Sequence, residues 1–141
     1  MKSSLFAVAF IIGSSFFTVT IISGFTKSLN QTPAPWKVPD AAKNKKNPVA
    51  CTPESIAEGK TLWATHCKSC HGTKGLGDGS KAAQLKTDPG DFSTAAFQTE
   101  TDGTLFFRTS EGRDDMPSFK KKLPDDDDRW NLVNFMRTFK K

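Results

Sequence analysis

Cys67-Lys68-Ser69-Cys70-His71-Gly72 is the stretch on which the reading of this chain turns. Two thiols three residues apart sit on one helical turn, so both can add to the vinyl groups of a porphyrin as thioethers. The histidine that follows then lies beneath the iron and offers an imidazole nitrogen as proximal ligand. C-x-x-C-H is the attachment signature for a c-type haem, and Gly72 gives the macrocycle room while letting the chain turn away. Other readings compete. A C-x-x-C redox pair belongs in a βαβ setting, which this sequence lacks. A zinc site using Cys67, Cys70 and His71 needs a fourth ligand, and no second Cys or His cluster exists. Chance occurrence is open to any short pattern, and in an oxidising compartment a bare C-x-x-C would close to a disulfide. Covalent haem is the expectation taken forward.

The second axial ligand must come from elsewhere. Haem iron in electron-transfer proteins is commonly held by His and Met. The chain has two His, and His66 adjoins Cys67 on the attachment side, from where it cannot swing to the opposite face. Of three Met, Met1 lies in an apolar terminus and Met136 in a C-terminal helical pattern, where an unbranched apolar side chain is most simply core. Met116 lies in the loop Glu111-Gly112-Arg113-Asp114-Asp115-Met116-Pro117. Pro117 biases it towards extended backbone, which suits a residue presenting a thioether inward. Met116 is the expected ligand; a loop methionine packed on the haem edge is the alternative.

Cys67-x-x-Cys70-His71-Gly72, the later Met116-Pro117 and a C-terminal helix with Trp130 and Phe135 together resemble class I c-type cytochromes, the small monohaem electron carriers. The resemblance covers roughly residues 53–140. It implies an all-α cytochrome c fold, with helices wrapped around one haem c per chain, covalent through Cys67 and Cys70 and ligated by His71 and Met116. In that family a Gly and an aromatic four residues on let the N-terminal helix cross the C-terminal one. Gly59 and Trp63 match that pattern, and Phe135 would be the partner; the alternative is a tolerated surface Gly.

The rest of the chain divides around this centre. No charged residue occurs between Lys2 and Lys27. As a helix, residues 3–26 would reach about 36 Å at roughly 1.5 Å per residue, enough to cross a hydrocarbon core of about 30 Å. Residues 1–27 are therefore expected to be a transmembrane anchor or a signal peptide, and the domain is expected to be exported to the periplasmic side of the cytoplasmic membrane. Residues 28–50 carry four Pro with Lys43, Lys45 and Lys46 and no apolar period, the pattern of an extended, solvated linker. Trp36 is either an aromatic at the membrane interface or a stray one in that linker. Residues 51–141 are expected to hold the cytochrome c domain.

The formal net charge of +5 belongs to the N-terminal part. Residues 1–50 hold six Lys against Asp40, whereas from Cys51 onward basic and acidic residues balance at fourteen each. Nucleic-acid binding therefore has no support.

Within the domain, Thr52-Pro53-Glu54 is a helix start: a hydroxyl cap, Pro at the first position and an acid in the first turn. Gly72 to Gly79 is read as a compact loop wrapping the haem; it lacks the strand and the Lys-Ser/Thr of a phosphate loop. Pro89 is a candidate backbone acceptor for the second imidazole nitrogen of His71, or an ordinary turn proline. Residues 102–108 suggest a short helix capped by Thr101 or Asp102, its Phe side chains facing the haem. Asp125 to Asp128 precede a last helix over Arg129 to Phe139, in which Trp130, Val133 and Met136 form the core stripe. No strand-like alternation is long enough to count.

The expected function is one-electron transfer, with both axial positions filled and no small-molecule substrate. The expected partners are redox proteins, with a respiratory complex as one candidate; Lys120, Lys121 and Lys122 could steer an acidic one, against the plainer reading of a solvated charge run. The rival is a haem enzyme or gas-binding sensor with a displaceable sixth ligand; the small domain offers no distal His for O–O cleavage. Cys51 has no partner once Cys67 and Cys70 are committed.

Overall fold

Thr52 begins the first long helix as its residue types require. In the computed structural model, which describes residues 35–141, the Thr52 backbone is extended and its hydroxyl accepts the Ser55 amide at 3.2 Å. In chain order the α-helices are α1 (Asp40–Lys43), α2 (Pro53–His66), α3 (Lys68–His71), α4 (Ala95–Gln98), α5 (Asp102–Glu111) and α6 (Asp126–Arg137), with a 3-10 turn at Ala82–Gln84. No strand occurs among the described residues, only an isolated bridge between Arg113 and Met116. The fold is all-α, as expected.

The principal packing is α2 against α6. Gly59 is what lets them meet: a Cβ there would lie 2.1 Å from the Asn131 carbonyl oxygen and 2.8 Å from Phe135 Cβ. The two backbones therefore touch where the Gly59–Phe135 pattern placed the crossing. Trp63, one turn further along α2, is buried against Phe92, Phe135 and Phe139, with ring centroids 5.6, 5.9 and 5.0 Å away. A polar cluster fixes the register of the same interface. Ser55 Oγ donates to Asn131 Oδ1 and accepts from Asn134 Nδ2, both at 2.7 Å, and Asn47 Nδ2 donates to Asn134 Oδ1 at 2.8 Å. Asn134 is buried, so each of these bonds offsets a desolvation cost that would otherwise stand.

α6 starts three residues before the expected Arg129, because Asp125 caps it and Asp126 to Asp128 form its first turn. The helix dipole favours carboxylates at that end. Trp130, Val133 and Met136 are all buried, and Leu132 and Phe135 complete the apolar face. α5 is capped by Thr101, whose hydroxyl accepts the Thr104 amide.

The Pro/Lys-rich stretch departs from the extended linker that its composition suggested. From Pro35 on it belongs to the same compact unit as the helices. Val38 is buried, and α1 lies on α5 where Gly103 has no Cβ to keep the Ala42 and Lys45 carbonyls away. Thr101 Oγ1 donates to the Lys43 carbonyl at 2.7 Å, and Lys45 Nζ sits 4.4 Å from the Phe106 ring centroid. The strap is held by its backbone carbonyls and by Asn47, so it needs no apolar period. The compact unit thus begins before Cys51. The expected anchor or signal peptide over residues 1–27, and the first part of the linker, lie outside the described residues. Among the described residues no helix is long and apolar enough to cross a membrane.

Candidate haem site

Cys67 closes α2 and opens α3, so the pentapeptide is a continuation of the helix that packs on α6. The Cys70 and His71 amides both return to the Cys67 carbonyl, at 3.1 and 3.0 Å, and wind the two thiols and the imidazole onto one turn. Gly72 then breaks away at φ 81°, where a Cβ would collide with the Asp78 carboxylate. The Gly72 carbonyl receives the indole N–H of buried Trp63 at 3.0 Å, which seats the turn on the core.

Cys67, Cys70, His71 and Met116 line one cavity of about 450 Å³, a volume within the usual range of cofactor pockets, ~300–1,000 Å³. Leu85, Phe92, Phe97, Leu105, Leu132 and Met136 supply apolar wall. The thiols are free. Burial, then the neighbouring Cys70, pushes the Cys67 thiol up to about 12. The pocket therefore disfavours a thiolate, whereas a thioether is neutral and carries no such cost. No cluster of three or more His, Cys, Asp or Glu side chains that could hold a bare metal ion occurs among the described residues.

His71 Nδ1 lies 3.1 Å from the Pro89 carbonyl. A carbonyl only accepts, so Nδ1 carries the proton and Nε2 keeps its lone pair. Burial lowers the basicity of the ring, and the bond to Pro89 works the other way. Phe92 and Trp63 flank the imidazole at 4.8 and 5.7 Å between centroids. The Gly77 amide donates to the His71 carbonyl and the Phe92 amide to Gly75, so the Gly-rich loop wraps the ligand turn.

Met116 arrives on a closed hairpin. Arg113 and Met116 exchange amide–carbonyl bonds of 2.8 and 2.9 Å, with Asp114 at φ 52° in the turn. Gly112, at φ 69°, has the Met116 carbonyl and Pro117 so close that a Cβ would overlap both. Ser118 Oγ donates to the Ser110 carbonyl at 2.6 Å, which ties the hairpin to the end of α5. The Asp115 carboxylate accepts the Lys86 and Thr87 amides at 2.6 and 3.2 Å. Met136 reaches the same cavity from the buried stripe of α6.

Two expectations are corrected here. The Phe side chains of α5 do not face the cavity: Phe106 stacks on Trp130 at 3.9 Å between centroids, because that face of α5 packs on α6. Its cavity-lining residues are Leu105, Arg108 and Thr109. Trp36 is not a stray linker aromatic. It lines the cavity, with the Arg113 and Arg108 guanidinium carbons 4.8 and 5.6 Å from its ring centroid. Cation–π attraction holds such an arrangement. Sequence reading missed both arginines, and a lone Trp in a Pro-rich stretch was the one available signal.

The family described as cytochrome c oxidase, cbb3-type, subunit III, matches residues 54–136, more than half of the chain. The chain belongs to this family of c-type cytochromes. Among solved structures it is similar to the reducing HAO-like protein complex Kustc0457/Kustc0458 of Kuenenia stuttgartiensis, at 30% identity and a TM-score of 0.61. That match covers 67% of this chain and 47% of the other, so the cytochrome spans about half the length of that relative. It is also similar to the KustC0563 c-type cytochrome, at 33% identity and a TM-score of 0.52, covering 59% of this chain and 98% of that one. No curated protein matches significantly. Family membership supports an electron-carrier role and a covalently bound haem c held through cysteines. The site fits that group: two free thiols on one turn, an imidazole with a free lone pair, and a mostly apolar cavity.

Proposed function

We propose that this chain is a one-electron carrier whose haem is joined to Cys67 and Cys70 and ligated by His71 and Met116. The observation that carries the proposal is the convergence of these four side chains on one cavity, with His71 Nδ1 committed to Pro89. Haem c supplies a one-electron couple at its iron. The residues do the rest. Cys67 and Cys70 make the attachment permanent; Pro89 fixes the tautomer and plane of His71. Phe92, Phe97, Leu105 and Leu132 exclude water, and Met116 would supply the second ligand beside His71. With both ligands engaged no coordination site would be left for a substrate, which favours a carrier over an enzyme or gas sensor.

The partners are redox proteins, in keeping with a structural relative that is itself a protein complex, and the setting is a respiratory chain. Lys120 is engaged by Glu111 at 2.5 Å, which leaves Lys121 and Lys122 the steering role. The apolar run over residues 3–26 favours export, with the domain on the periplasmic side behind an anchor or a cleaved leader. The mass of the native protein tests the haem adduct and the leader together.

Optical spectra of the oxidised holoprotein test the ligand assignment. Met116→Ala should abolish the methionine–iron charge-transfer band, and Met136→Ala should retain it. The opposite pattern would transfer the ligand to α6, and absence of the band from the parent holoprotein would refute His/Met ligation.

A further inference from the structure

The bond that holds His71 and the hairpin that carries Met116 are not independent. Asp115, next to Met116, accepts two amides from the segment that leads directly to Pro89. After Lys86 and Thr87, Asp88 folds the chain by accepting the Gly90 amide at 2.8 Å, and the intervening Pro89 carbonyl accepts the His71 Nδ1–H bond. The half-buried Asp115 carboxylate therefore bridges two loops that line the cavity, one carrying Met116 and the other holding His71. Bonds from amides to a carboxylate are about twice as strong as neutral ones. Secondary structure offers nothing in its place: the hairpin is an isolated bridge and residues 85–90 form neither helix nor strand.

We propose that Asp115 is a positioning residue, a latch that keeps the Met116 hairpin shut against the His71-holding loop and so sets how readily Met116 leaves the iron. This rests on the His71/Met116 reading above. Release of Met116 requires its hairpin to swing outward, and both Asp115 bonds must break first. Removing the carboxylate should leave the folded domain in place while raising the frequency of that opening. The Lys86 bond is exposed to solvent, which screens the charge, so two bonds of ordinary neutral worth correspond to roughly a ten- to hundredfold effect.

The test uses the full-length oxidised holoprotein and imidazole as the entering ligand, whose saturating binding rate reports Met116 release. Asp115→Ala should accelerate that rate roughly ten- to a hundredfold, and Asp115→Asn, which keeps an acceptor without the charge, should fall between it and the parent. Should Asp115→Ala fail to fold, Lys86→Pro removes one donor from the other side. Leu85 already has the extended backbone (φ −79°, ψ 148°) that a following proline demands. Lys86→Pro should also accelerate exchange, and the double variant should be no faster than Asp115→Ala alone. A general loss of packing would move the denaturant midpoint without this non-additive pattern. Unchanged exchange in both single variants, with the charge-transfer band lost in Met116→Ala, would overturn the latch and leave the ligand assignment standing. A band that survives Met116→Ala would overturn both.

Discussion

Replacing Gly59 by Ala tests the helix crossing on which the cavity is built. The new Cβ would sit 2.1 Å from the Asn131 carbonyl oxygen, about 1 Å inside the 3.0 Å that real Cβ contacts respect. Its other neighbours, the Asn131 carbonyl carbon at 2.7 Å and Phe135 Cβ at 2.8 Å, are backbone or backbone-fixed atoms that cannot rotate aside. α2 must therefore lift from α6 by about that distance. Overpacking of this kind costs about 1–3 kcal/mol, and more where the obstacle is rigid. The same displacement stretches the 2.7 Å bond from Ser55 to Asn131, adding about 1 kcal/mol. Alanine returns about 1 kcal/mol through its better helix propensity. The net expectation is a loss of about 1–3 kcal/mol and a fall in melting temperature on the order of 10 °C. Guanidinium unfolding of the holoprotein followed by circular dichroism measures it, with Glu58→Ala, exposed on the neighbouring position, as a control expected to stay within about 0.5 kcal/mol. A Gly59→Ala midpoint equal to or above that of the parent would refute the close crossing.

Asn134→Ala should cost about 2–4 kcal/mol in the same assay, because it strands Ser55 and Asn47 at once in a buried site. Trp63→Phe keeps the ring but leaves the Gly72 carbonyl without its indole donor; a loss of about 1–3 kcal/mol is expected, with a shifted haem absorption spectrum because the ligand turn loosens. Ser93→Ala should show a pH signature. The Ser93 hydroxyl, and then its amide, hold the Asp91 carboxyl below its ordinary 3.8. The folded state therefore binds that proton less readily than the unfolded state, so the stabilisation is present above pH 3.8 and fades as the pH falls through it. Denaturation midpoints of Ser93→Ala and parent should differ near neutral pH and converge in acid; a constant gap would contradict the assignment.

What the sequence disclosed and what it concealed follow from the range of the interactions. The start of α2 was legible because a cap is a local event: Thr52 needs only the amide three residues on. The pairing of Gly59 with Phe135 was legible through the family pattern, and the Pro89 acceptor because a buried metal-binding imidazole must place its second nitrogen somewhere. The strap over residues 35–50 was not, since its anchors are backbone carbonyls accepting from Thr101 and lying over Gly103, which no composition reveals. Phe106 misled for a related reason. An aromatic on a short helix beside a cofactor loop could face either neighbour, and stacking on Trp130 depended on how α5 meets α6. Asp115 reads in sequence as one more acid in a turn; its role exists only when Lys86 and Thr87 arrive beside it.

The burial of Cys67 also constrains how such a chromoprotein can be made. In the folded unit Cys67 is half-buried and its thiol is held at about 12, which makes it a poor nucleophile. Thioether links to it would therefore form more readily on an open chain than on the folded one, with folding sealing them afterwards. A chain that collapses too early would forfeit its pigment for good.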